Sequence, residues 1–207
     1  RGLYLMVTDT RDPNELDGFA EELRQDIIHI CGANPEHPNM MPTAFTELVI
    51  GDLLGQGEIV TGTESVYYAK GFKEGRVRVT GIGIDEERGQ LDLLGSIYKN
   101  EIPPRRIRPS DITRAVEETA NFAKLAITGN LRERIDIGEQ AYPFIDKIHN
   151  FRDQIDRINL FVVSDQIAPA TSRLETVGPI GNKPVVVQVW GLEKIHRVRN
   201  GHLDEPV

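Results

Sequence analysis

Leu16, Phe19, Leu23, Ile27 and Ile30 recur at helical spacing, which predicts a helix from Asp12 to Cys31. Asp12-Pro13 supplies a capping residue followed by a proline at the first helical position. A proline- and asparagine-rich loop follows from Gly32 to Pro42. A second helix then carries Phe45, Leu48, Val49 and Leu53 on its buried stripe and ends near Gly55 and Gly57. From Glu64 the period changes from helical to alternating. Segments Glu64 to Lys70, Arg76 to Ile84 and Gln90 to Tyr98 read as three strands of a meander, with a tight turn at Glu86 to Gly89. Val77 and Val79 share one phase and Ile82 and Ile84 the other, so a bulge is expected at Thr80-Gly81.

Pro103, Pro104 and Pro109 make a stiff linker of Ile102 to Pro109, and Ser110 is expected to cap the next helix, which stops at Gly129. A fourth helix is predicted from Tyr142 to Arg157, and two buried-type strands, Asn159 to Ser164 and Pro184 to Trp190, close the order. The expected class is therefore α/β (α+β): one mixed sheet of about five strands flanked by helices.

Composition narrows the function classes. Hydrophobic residues make up 39% of the 207-residue chain, enough for one full core, and no apolar run approaches the roughly 18 residues of a membrane helix. Arg1 to Thr10 lacks the layout of a signal peptide. The single cysteine, Cys31, excludes an internal disulfide framework and a cysteine-built zinc site, and its place in an apolar stripe reads as a packed thiol in a reducing cytoplasm. A net charge of −8 argues against a nucleic-acid coat, though an acidic metal site can sit within a locally basic groove.

Candidate chemistry centres on the hairpin. If Glu86 to Gly89 is the turn, Asp85 pairs with Gln90, and Asp85 and Asp92 become diagonal neighbours on one face. Two carboxylates so placed can share a hard divalent cation such as Mg²⁺. Glu47, on the helix that must pack over this sheet, is the third candidate oxygen donor. Gly81 and Gly83 should leave open space above them. A helix Glu, a strand-end Asp and an acid on the next strand form the layout of restriction-endonuclease-like (PD-(D/E)XK) nucleases, in which the metal activates water. The lysine expected two residues after the second acid is Leu94 here. Lys99 should lie on the opposite face, and Arg78 reaches the acidic face only through the bulge. The competing reading is a solvated acidic turn with Asp92 as an ordinary strand residue. Arg105, Arg106 and Arg108 are candidates for gripping nucleic-acid phosphates, against the plainer reading of an exposed linker.

Several segments together resemble the N-terminal region of the AIPR (abortive infection phage resistance) family. They are Ala44-Phe45-Thr46-Glu47-Leu48, Gly57-Glu58-Ile59, Val66-Tyr67-Tyr68, Gly81 to Glu87, Gly89 to Leu93, Asn121-Phe122, Arg157 to Asp165 and Val189 to Arg197. The resemblance implies a domain over residues 12–207 of a larger bacterial anti-phage protein, with residues 1–11 as an extra segment. It also implies other defence-system proteins and nucleic acid as partners, with self-association allowed and no membrane. Two functions follow as expectations: a Mg²⁺-dependent nuclease or its degenerate relative, with Glu47, Asp85 and Asp92 at the site, or a non-catalytic interaction or phage-sensing module.

Overall fold

The computed structural model describes residues 13–32, 40–169 and 177–200. The expected caps and turns that fall elsewhere, Asp12 among them, lie outside the described residues. The elements are α1 (Pro13–Cys31), α2 (Met40–Gly55), β1 (Glu64–Phe72), β2 (Gly75–Asp85), β3 (Gln90–Ile97), α3 (Pro109–Thr128), α4 (Tyr142–Phe151), β4 (Arg157–Ser164), β5 (Val185–Trp190) and α5 (Leu192–Arg199). The strands form one five-stranded sheet in the order β1-β2-β3-β4-β5. The first three make an antiparallel meander, whereas β3, β4 and β5 run parallel.

Each face of the sheet carries its own core. On one, Val77, Val79, Ile82, Leu91, Leu93 and Leu160 pack beneath the α3 and α4 residues Phe122, Ile145 and Ile148. On the other, Leu94, Phe161, Val163 and Trp190 meet Leu23 and Ile27 of α1, Phe45 and Leu53 of α2, and Leu192 and Ile195 of α5. The result is three layers, helices over both faces of a mixed sheet. All eight residues of β3, the central strand, are buried. Alternation there separates two cores rather than core from water.

Three local expectations change. In α1 the buried stripe is Phe19, Ala20, Leu23, Ile27 and Cys31, while Ile30 is exposed. The four-residue spacing of Phe19, Leu23, Ile27 and Cys31 keeps these side chains on the buried side, so position 31 rather than 30 closes the stripe. Helix α3 starts one residue before Ser110, with Arg108 at the N-cap and Pro109 in the first turn. Helix α4 stops at Phe151, and a 3-10 turn over Arg152–Gln154 precedes β4. One element, α5, was not expected.

The phase slip at Thr80-Gly81 is present, and the extra residue of the β1–β2 pair stands in β1, where Val66 and Tyr67 face Thr80 alone. Val79 and Ile82 lie three apart yet both enter the α3-side core, and the β1 register slips between Ser65 and Tyr68 opposite them. The Thr80 hydroxyl replaces the lost ladder contacts, donating to the Leu94 carbonyl at 3.1 Å and accepting the Ser96 N–H at 3.1 Å. A buried hydroxyl chain then continues through Ser96 to Thr46 of α2, at 2.8 and 2.7 Å.

Candidate functional site

The hairpin has the register that strand parity demands: Asp85 pairs with Gln90, Gly83 with Asp92, and Gly81 with Leu94. Gly89 closes the turn with φ of +61°, a conformation that favours glycine. Asp85 and Asp92 therefore occupy the same face of adjacent strands. Their surroundings differ.

Asp92 is fully buried at the centre of the sheet. Its Oδ2 accepts the Val60 backbone N–H at 2.8 Å, and its Oδ1 accepts Gln90 Nε2 at 2.9 Å and Asn159 Nδ2 at 2.7 Å. The parallel β3–β4 register aligns Asp92 with Asn159 and Gln90 with Arg157. The Arg157 guanidinium donates to Gln90 Oε1, so the Gln90 amide passes that positive polarisation on to the acid. Burial pushes the Asp92 carboxyl above its ordinary value, and the three hydrogen bonds and the Arg157 charge oppose that shift.

The space above the hairpin is filled. The segment between α2 and β1 folds over it: a Cβ on Gly83 would lie 2.0 Å from Thr63 Oγ1 and 2.7 Å from Val60 Cγ2, and one on Gly81 would lie 3.0 Å from Ile50 Cδ1. Thr63 holds this roof in place by donating its hydroxyl to the Val60 carbonyl at 2.7 Å. The glycines let the roof descend onto the sheet; they do not clear a pocket.

Asp85 sits at the rim instead. Its Oδ1 accepts the backbone N–H groups of Glu87 and Arg88, both at 3.0 Å, and Arg88 Nε lies 3.7 Å from Oδ2. These are the contacts of a side chain that stabilises its own turn. Asp85, Glu86 and Glu87 border a broad open concavity with Val60, Thr61 and Lys147, and neither Asp92 nor Glu47 lines it. Glu47 is exposed on α2.

The three candidate acids are thus not brought into one cleft. Both Asp92 oxygens face N–H donors, which repel a cation, and Asp85 faces two N–H groups and a guanidinium. Among the described residues no group of three or more His, Cys, Asp or Glu could hold a metal ion. The candidate stand-ins for the lysine are engaged elsewhere. The bulge turns Arg78 to the Asp92 face, but its Nη2 donates to the Ser96 carbonyl at 2.7 Å. Lys99 lies on the opposite face, 3.2 Å from Asp111 of α3.

The three arginines are exposed, yet their segment is not a free linker. At the end of β4, Asp165 accepts the backbone N–H groups of Lys99 at 2.9 Å and Asn100 at 2.6 Å, and burial raises its own pKa. The Arg105 N–H donates to Gln166 Oε1, and the Arg106–Ile167 bridge is closed by Ile107 N–H to the Ile167 carbonyl and Ile167 N–H to the Arg105 carbonyl, both 2.9 Å. Pro104 and Ile107 are buried beneath. No sequence signal pointed to Asp165, Gln166 and Ile167 as the anchors, because they lie some sixty residues from what they hold.

Fold and site together define a three-layer α/β domain with a sealed central acid, an acidic turn at one end of the meander and an arginine-bearing segment pinned at the other. Residues 45–197 match the model of the abortive infection phage resistance protein N-terminal domain. That span is most of the chain, and the chain belongs to this family. No curated protein and no solved structure matches it. Membership makes it a domain of a phage-resistance defence protein. No helix among the described residues is long and apolar enough to cross a membrane.

Proposed function

We propose that this domain serves its phage-resistance protein as a non-catalytic recognition module on a nuclease-like scaffold, handling nucleic acid or a defence partner without hydrolysing phosphodiesters. The observation that carries the reading is the enclosure of Asp92. A metal ligand must offer oxygen lone pairs along an open approach, whereas this fully buried carboxylate commits three of its roughly four acceptor positions to Val60, Gln90 and Asn159 beneath a closed roof. Its work is architectural: it ties the α2–β1 segment to β3 and β4. The succession of helix, antiparallel meander, crossover helices and parallel strand supports a restriction-endonuclease-like ancestry for the scaffold. Other defence-system proteins are the partners the family suggests, and the cytoplasm is the compartment in which they would meet.

The test is cleavage. DNA and RNA are incubated with the protein and Mg²⁺ or Mn²⁺, beside Asp85→Ala and Glu47→Ala variants. The expected result is no metal-dependent cleavage above background, or residual cleavage equal in all three proteins. Cleavage that is abolished by Asp85→Ala or Glu47→Ala would restore the nuclease reading.

A further inference from the structure

At the carboxyl ends of the parallel strands β3 and β4, opposite the acidic hairpin, lies a cleft of about 130 Å³. Its charged lining is Lys99, Arg105, Arg106 and Arg108 against Glu101 and Asp111. Four cations facing two carboxylates make a local positive excess on a chain of net charge −8. Two of the cations are neutralised internally, Lys99 by Asp111 at 3.2 Å and Arg105 by Glu101 at 3.5 Å. Arg106 and Arg108 have no carboxylate within ion-pair distance among the described residues.

We infer that this cleft binds a phosphate group, with Arg106 and Arg108 as the guanidinium pair that grips it. The cleft opens beyond the carboxyl end of β3, where Lys99, the arginine segment and the first turn of α3 meet Gln166 from the end of β4. Guanidinium groups match phosphate oxygens in bidentate geometry. Their backbone is held in advance: Gln166 and Ile167 fix the chain at Arg105 and Ile107, on either side of Arg106. Ordering the segment therefore costs little when the ligand arrives. The volume is several times the roughly 10–15 Å³ that one water needs, which leaves room for a phosphate group.

The ligand is a phosphate-bearing chain or molecule, that is, a nucleic-acid backbone or a free nucleotide. This deepens the recognition reading by naming what is recognised, and it rests on that reading only for the absence of hydrolysis.

The experiment measures fluorescence anisotropy in EDTA at low salt, where no metal-dependent cleavage intervenes. One arm uses a labelled single-stranded DNA oligonucleotide, the other a fluorescent ATP analogue. The Arg106→Ala/Arg108→Ala variant is compared with Arg88→Ala/Lys147→Ala, which removes equal charge at the opposite hairpin. The cleft variant should weaken binding on the order of tenfold and, for the oligonucleotide, flatten the slope of log K against log salt by about 1.4. The hairpin variant should change neither. Binding of the nucleotide alone assigns the phosphate to a small molecule; binding of the oligonucleotide assigns it to a strand. Equal weakening by both variants, or no binding of either probe, overturns the inference. Metal-dependent cleavage would instead overturn the recognition reading while leaving this site intact.

Discussion

The Asp92 carboxylate accepts the backbone N–H of Val60 at 2.8 Å, across thirty-two residues of chain and between two layers of the fold. This one bond explains why an acid stands in the central strand: it satisfies a buried main-chain donor of the segment that roofs the sheet. Gln90 and Asn159 complete the shell from the same and the neighbouring strand.

Asp92→Ala leaves those three N–H donors unpaired inside the core. Each buried donor so stranded costs about 1–3 kcal/mol, so the loss should be at least about 3 kcal/mol. Asp92→Asn keeps an acceptor but turns an amide N–H toward other donors, and should cost about 1–3 kcal/mol. Urea denaturation monitored by circular dichroism checks both values. A loss below 0.5 kcal/mol, the range of ordinary surface substitutions, would mean that the network is not a structural tie.

Burial lifts the carboxyl groups of Asp92 and Asp165 above the ordinary 3.8. The folded chain then holds these protons to higher pH than the unfolded chain does. Their contribution to stability is full below 3.8 and is lost as pH rises through the folded-state midpoints. Wild type should accordingly lose stability relative to Asp92→Asn over that interval. Carboxyl-carbon NMR of Asp92 reads the midpoint directly, and a midpoint at or below 3.8 contradicts the assignment.

The hairpin was legible because its information is local. A strict period of two and a four-residue turn ending in glycine set Asp85 opposite Gln90, and a one-residue phase slip at Thr80 announced the bulge. What alternation cannot say is what lies above a strand face. The same two glycines that open space over a sheet also admit close packing, and only the descent of Val60 and Thr63 onto Gly83 decides between them. Helix α5 was missed because it spans eight residues and carries Glu193, Lys194, His196, Arg197 and Arg199, leaving Leu192, Ile195 and Val198 as a three-residue stripe. His196 of that helix serves packing: its ring centroid lies 4.6 Å from that of Phe19, and it pairs with Asn200. For the arginine segment the sequence leaves a phosphate grip and a plain linker side by side, because the anchors that hold it lie far along the chain.

We propose that Asp85 and Asp92 hold no divalent cation between them, and titration calorimetry with Mn²⁺ on wild type, Asp85→Ala and Asp92→Asn decides the point. No saturable heat attributable to these residues is expected, so that all three proteins give superimposable isotherms. Stoichiometric Mn²⁺ binding in the wild type that disappears in both variants would contradict it.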